Sequence, residues 1–207
     1  MGFILPNALQ GQSIWTGSGD GVNWTDPDNW STGVPDQIGN AEIPNGMTAV
    51  IALGNTVTWT TGNLTGGGIL LNRGVIELNT PFNKTINENA TINNEHIIDI
   101  NDGDLFLGDG TLTNNGTINF TGDNDDIRIS TGSTHDLINN GTIAKIGGSS
   151  ISLINVEFIN SGTIHAVSGE LRLQGESLYK NDTELLSDQG AISVSYTHLT
   201  LPTILRV

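Results

Sequence analysis

Along most of this chain, apolar residues come in short alternating runs broken by Gly, Asn and Asp. Five nine-residue stretches carry the pattern: LLNRGVIEL (Leu70–Leu78), INNEHIIDI (Ile92–Ile100), LTNNGTINF (Leu112–Phe120), LINNGTIAK (Leu137–Lys145) and FINSGTIHA (Phe158–Ala166). Their common form is apolar-x-Asn-x-Gly-x-Ile-x-apolar; His96 replaces the Gly once, and Lys145 and Ala166 depart at the last place. The Gly position falls at 74, 96, 116, 141 and 162, in steps of 22, 20, 25 and 21 residues. A decayed sixth copy, LYKNDTELL, occupies Leu178–Leu186. A second motif keeps phase with the first: DLFL (Asp104–Leu107), DIRI (Asp126–Ile129), SISL (Ser150–Leu153) and ELRL (Glu170–Leu173). Its first apolar residues, Leu105, Ile127, Ile151 and Leu171, step by 22, 24 and 20.

Alternation with period two marks strands with one buried face, and no window holds helical spacing over three turns. Self-similarity at a period of about 20–25 residues indicates stacked supersecondary units. One period supplies three short strands and three turns. The predicted fold is all-β: a single-stranded parallel β-helix, a solenoid of about six or seven coils stacked at ~4.8 Å. In such a stack each repeat position meets its own copy in the next coil. Asn72, Asn94, Asn114, Asn139 and Asn160 therefore form one column, whose amides can bond to one another along the axis. Ile76, Ile98, Ile118, Ile143 and Ile164 form an inward core column. The Gly column is expected at positive φ, with His96 as its tolerated exception. Asn-Gly between apolar runs is also a hairpin signal, so a stack of hairpins or an antiparallel sandwich is the alternative.

Ile14–Gly46 reads differently, with three of the chain's four Trp (Trp15, Trp24, Trp30) and three of its six Pro. Solenoid ends expose core and unpaired edges, and an irregular, Trp-bearing segment suits a cap. Exposed Trp stacking on sugars is the other reading of these residues. The order W-x-G-x-G-x-x-x-x-W, then D-x-x-N-W, V-P and N-A-x-I, is carried by Trp15, Gly17, Gly19, Trp24, Asp26, Asn29, Trp30, Val34, Pro35, Asn40, Ala41 and Ile43. It resembles the opening of large secreted bacterial β-helix proteins, the autotransporter-like and filamentous-adhesin-like surface proteins. The resemblance covers the cap and, in style, the coils to about Gly190. It implies a rigid, exported stalk at the cell surface, often adhesive, with extracellular glycans or proteins as partners and no catalytic centre in this segment.

Composition narrows the partners. Charged residues are 14% of the 207, with seven Lys+Arg against 22 Asp+Glu and a net charge of −15. Nucleic acid and anionic membrane both require a basic surface. No run approaches the ~20 apolar residues of a membrane span. There is no Cys, which excludes disulfides and Cys-based zinc sites. The 27 Gly and 24 Asn serve frequent turns.

The expected organisation is a remnant of a secretion signal over 1–13, the cap over 14–46, β-helix repeats over 47–193 and a non-native tail over 194–207. The tail contains VSYTHLTLPT, which resembles one translated frame of a common sequencing adapter. If so, the natural protein is longer and this is an N-terminal fragment.

Candidate chemistry is sparse. GDNDDI (Gly122–Ile127) and NDGDLFLGDG (Asn101–Gly110) offer carboxylates suited to Ca²⁺, with Asp123, Asp125 and Asp126 as the candidate ligands, although neither stretch matches an EF-hand loop. Solvated turns are the plainer reading, and no other cofactor is indicated. The same three Asp could serve hydrolysis, since β-helices also carry polysaccharide lyases and hydrolases that use paired carboxylates in a groove. The Gly-His-Gly and Arg-x-Lys of the polygalacturonase-like set are absent, and His96, His135 and His165 stand singly within repeats. The N-x-[ST] sequons, such as Asn63-Leu-Thr, Asn115-Gly-Thr and Asn140-Gly-Thr, arise from the repeat itself. A structural or adhesive stalk is the leading expectation, and a carbohydrate-active β-helix or a sugar-binding module is the alternative.

Overall fold

A computed structural model describes residues 12–123, 125–130, 136–174, 177–179, 184–194, 198–199 and 204–206. Their strands are short because each apolar pair is followed within a few residues by a Gly, Asn or Asp that turns the chain. The described strands form a small two-stranded parallel sheet in the cap, Ser13–Ile14 with Ala41–Glu42, and three large parallel sheets to which successive coils supply successive strands. The first sheet holds Thr48–Ile51, Ile69–Asn72, Thr91–Asn94, Thr111–Asn114, Asp136–Asn139, Phe158–Asn160, Ser177–Tyr179 and His198–Leu199. The second holds Thr56–Trp59, Val75–Asn79, Ile97–Asp102, Thr117–Phe120, Thr142–Lys145, Thr163–Ala166, Glu184–Ser187 and Ile204–Arg206. The third holds Gly62–Leu64, Lys84–Ile86, Leu105–Leu107, Ile127–Ile129, Ile151–Asn155, Glu170–Gln174 and Ala191–Val194. The chain is a parallel β-solenoid of about six turns, not an antiparallel stack.

Within residues 194–207, read from the sequence as a non-native tail, His198–Leu199 and Ile204–Arg206 pair in parallel with the strands of the preceding coil.

The repeat places like on like. Ile76 pairs with Ile98, Ile98 with Ile118, Ile118 with Ile143 and Ile143 with Ile164, and the whole column is buried. Two residues on, the inward column runs Trp59, Leu78, Ile100, Phe120, Lys145 and Ala166. At the corner between the first and second sheets stand the five asparagines, each 0% exposed. Asn72 Nδ2 donates to Asn94 Oδ1 at 2.7 Å, Asn94 to Asn114 at 2.7 Å, Asn114 to Asn139 at 2.7 Å and Asn139 to Asn160 at 2.6 Å. Each Nδ2 from Asn72 to Asn139 also donates to a backbone carbonyl of the coil above: Ile97, Thr117, Thr142 and Thr163 in turn.

The glycine column is present for a different reason from the one expected. Gly74, Gly116, Gly141 and Gly162 do not lie at positive φ, and neither does His96. Consecutive coils instead approach so closely here that a Cβ on Gly141 would sit 2.1 Å from Gly116 O, and one on Gly162 2.0 Å from Gly141 O. The turn selects Gly by lack of space between backbones, not by dihedral freedom.

The tetrad register also departs from expectation. Leu105 pairs with Ile127, but Ile127 pairs with Ile154 rather than Ile151. Ile151 faces Glu170, and Ser152 faces Leu171. SISL therefore turns its two apolar residues outward and buries Ser152. The physical reason is Lys145, whose buried ammonium takes Ser152 Oγ as a partner.

Residues 13–46 close the N-terminal end. Trp24 N donates to Val50 O and Val50 N to Val22 O, which pairs the edge strand Thr48–Ile51. Thr65 N donates to Ala41 O and Ile43 N to Thr65 O beside the third sheet, and Gln37 Oε1 accepts from Thr60 N and Thr61 N at the end of the second sheet's first strand. Trp15 and Trp24 each pack edge-on against Trp30, at centroid distances of 4.9 and 4.7 Å, and all three are buried. The sugar-stacking reading of these three rings therefore fails: no indole face is open.

The Asp and Asn of the cap motif form a hydrogen-bonded knot beneath them. Asn29 Oδ1 accepts from Gly19 N and Gly21 N, Asn29 Nδ2 donates to Asp20 Oδ1, and Asp26 Oδ2 accepts from Asp20 N.

Asn114→Ala breaks the ladder in its middle, taking the Asn114 partner from one Asn94 N–H below and from Asn139 Oδ1 above. It should cost about 2–4 kcal/mol in denaturant unfolding, whereas the exposed neighbour Asn115→Ala should cost less than about 1 kcal/mol. Equal costs would show that the buried column has no special weight.

Candidate functional site

Two polar constructions depart from the apolar repeat. The first is buried, at the corner between the second and third sheets. Lys84 begins the strand Lys84–Ile86 and Lys145 ends Thr142–Lys145; both are 0% exposed. Lys84 Nζ donates to the carbonyls of Thr80 and Asp102, the latter at 2.7 Å. Lys145 Nζ donates to Gly122 O at 2.9 Å and Ser152 Oγ at 3.0 Å. Asp125, also 0% exposed, accepts from Gly122 N at 2.9 Å through Oδ2. Its Oδ1 is enclosed without a hydrogen-bond partner.

Taking an ion out of water disfavours its charged form. Burial holds the Lys84 and Lys145 ammonium groups below the usual lysine range, while nearby Asp carboxylates oppose the shift. Burial pushes the Asp125 carboxyl up to about 6, against the Gly122 N–H and Lys145 and helped by the charges of Asp102 and Asp126.

The three residues expected as Ca²⁺ ligands are adjacent in sequence but not in chemistry. Asp123 Oδ1 accepts from Ser149 N and Ser150 N at 2.6 and 2.7 Å. Asp125 faces inward. Asp126 Oδ1 accepts from Leu153 N at 2.6 Å, and its Oδ2 meets Arg128. Among the described residues, no three acidic or histidine side chains converge on a common point. His165 Nε2 lies 3.0 Å from Asp188 Oδ2, His96 sits at a coil turn, and His135 lies outside the described residues.

The second construction is open. On the outer face of the third sheet, Asp104, Asp126, Arg128, Ile151, Leu153 and Arg172 line a groove of about 370 Å³. Arg128 Nε lies 3.1 Å from Asp104 Oδ2 and 3.0 Å from Asp126 Oδ2, so one guanidinium spans two coils. Arg172 Nη2 lies 3.0 Å from Glu170 Oε1, which also accepts from Ser193 Oγ at 2.5 Å. Burial raises the Asp104 carboxyl, and the Asp126 charge adds to that, while Arg128 opposes it. The Ser193 hydroxyl, followed by Arg172, lowers Glu170.

The sequence marked the tetrads but treated them as core, so the groove was not visible in it. The legible signal was DIRI and ELRL, which carry Arg at the same tetrad place; the slip then stacks Arg128 on Asn155 and Gln174, and Arg172 on Leu153. The buried lysines had one signal, the break of the apolar rule at Lys145.

No family model, curated protein or solved structure matches the chain. Fold and site therefore stand on geometry alone.

The corner makes a pH prediction. A carboxyl raised in the fold favours the protonated state, so its contribution is fully present below about 4 and is lost as pH rises through about 6. Asp125→Asn should therefore stabilise the protein by about 1–3 kcal/mol at pH 8, with little effect at pH 4. Denaturant midpoints measured from pH 4 to 8 check this; an Asn variant that is weaker at pH 8 would contradict it. The lysines act at the other end: their contribution is largest above about 10.4 and falls as pH drops through their depressed values.

Proposed function

We propose that this chain is part of an exported bacterial surface protein, in which the solenoid acts as a rigid, adhesive stalk. The observation that carries the reading is the unbroken asparagine ladder, which ties five consecutive coils into one column. A stack of this kind resists bending because each coil shares its buried hydrogen bonds with the next. The described coils give a rod of roughly 30 Å at ~4.8 Å per coil. Three further features support export and display. The chain has no Cys, its surface is strongly acidic, and its cap carries the motif that resembles secreted β-helix proteins. The cap also fits a stalk, because it pairs the edges that would otherwise template aggregation.

A second reading, a carbohydrate-active β-helix, is favoured by the paired carboxyls of Asp104 and Asp126 in an open groove. Acid–base hydrolysis needs one protonated and one ionised carboxyl. Arg128 pairs with both carboxyls and occupies the space between them that a scissile bond would need, so the stalk reading leads.

Antibodies raised against the folded solenoid decide the location. They should label intact cells producing the full-length protein. Labelling only after permeabilisation would overturn the proposal, and release of reducing ends from polysaccharide by the purified protein would favour the enzyme.

A further inference from the structure

Among the described residues, the third sheet's groove gathers most of the cations that reach solvent. Among residues with described side chains, five are Lys or Arg, and two of these, Lys84 and Lys145, are buried. Three reach solvent: Arg73, paired with Glu95, and Arg128 and Arg172, both in the groove. Among the described side chains, two of the three cations that reach solvent thus share one concavity, beside the carboxylates Asp104 and Asp126 and with Glu170 paired to Arg172. Every arginine here is matched by a carboxylate, so the groove offers no free positive charge on an acidic rod.

A second observation lies in the register. Between the strands Ile127–Ile129 and Ile151–Asn155 the coils slip, and Ile151 and Leu153 turn out of the core toward the groove. Exposing two apolar side chains costs burial that the regular repeat would have gained. Such a local break in an otherwise consistent pattern is where function is expected.

We propose that this groove is a glycan-binding site that takes a neutral oligosaccharide lying along the solenoid axis. A sugar ring has an apolar C–H face and a rim of hydroxyls that both donate and accept. Ile151 and Leu153 offer aliphatic floor to the face. Asp104 offers an acceptor and Arg128 and Arg172 offer donors to vicinal hydroxyls, and Gln174, which lines the same groove, offers both. The charged groups are already held, Asp126 by Leu153 N, Arg128 by two carboxylates and Arg172 by Glu170, so little ordering is needed on binding. Polyanions are repelled by the acidic rod. The inference rests on the stalk reading and gives its adhesive face a partner class.

The test is calorimetric titration of the whole chain with four neutral hexasaccharides as probes: cellohexaose, mannohexaose, xylohexaose and maltohexaose. At least one should bind with a Kd no weaker than about 1 mM. Arg172→Ala and, separately, Gln174→Ala should weaken that Kd by about tenfold or more, and Arg73→Ala should leave it unchanged. Unchanged melting temperatures confirm that the variants fold. Raising NaCl from about 50 to about 500 mM should change the Kd less than about twofold. The proposal is overturned if no probe binds, if neither groove variant weakens the hit, or if uronate or sulfated chains bind better and weaken with salt. The two readings fail separately. Cleavage of the bound probe would remove the non-catalytic stalk but keep the site, whereas surface labelling without glycan binding would keep the stalk and remove the site.

Discussion

One buried hydrogen-bond chain, running from side-chain amide to side-chain amide along a corner of the coil, decides which residue stands above which. An asparagine amide enclosed in protein must find partners or lose several kcal/mol, on the order of 2–7, in desolvation. Here each amide from Asn72 to Asn139 donates to the asparagine of the coil above and to a carbonyl beside it. A one-residue slip would turn the amide to the outer face and an alternate side chain inward, breaking the chain at two levels at once. The isoleucine column contributes more buried area, but apolar contacts tolerate slippage far better than directional bonds do. The ladder sets the register, and burial supplies most of the free energy.

Where the ladder is distant, register loosens. The third sheet lies away from the asparagine corner, and the longest repeat, 25 residues between Asn114 and Asn139, has its extra length around that sheet. There Ile127 meets Ile154, Ser152 replaces an apolar residue inside, and a lysine ammonium occupies the interior. The buried Lys84, Asp125 and Lys145 lower stability relative to an apolar core, and the same slip opens the groove lined by Asp104, Asp126, Arg128 and Arg172. Two faces hold the rod in register while the third varies. In a solenoid that is an economical way to add a surface function without disturbing the stack.

The fold was legible because its cause is periodic. Five asparagines and five isoleucines at matched spacing define a stack before any coordinates exist. What escaped the sequence was whatever depends on distance between coils rather than on the order of residues within one. Gly116, Gly141 and Gly162 looked like turn residues, and only the packed backbones reveal that a Cβ has no room. Ile151 matched the tetrad pattern by type, but its direction depends on Lys145 and Ser152, which lie in different strands. Trp59, the one Trp outside the cap, takes an inward place beneath Leu78 and carried no motif of its own. The carboxylates of Asp123, Asp125 and Asp126 looked like one cluster because they are neighbours in sequence. The turn there sends them to three sets of partners.

The claim beneath all of this is that successive coils lie directly above one another, one repeat per step. Because the chain has no Cys, spin labels can be placed uniquely. Leu71, Asn93, Thr113, Ile138 and Ile159 form one outward column on the first sheet. Electron–electron distance measurements between a label at Leu71→Cys and one at Thr113→Cys, Ile138→Cys or Ile159→Cys should give separations growing by ~4.8 Å per coil, reaching roughly 19 Å for the last pair. Separations that fail to increase in order, or that bring positions 71 and 159 closer than 71 and 113, would contradict the stacked, parallel arrangement.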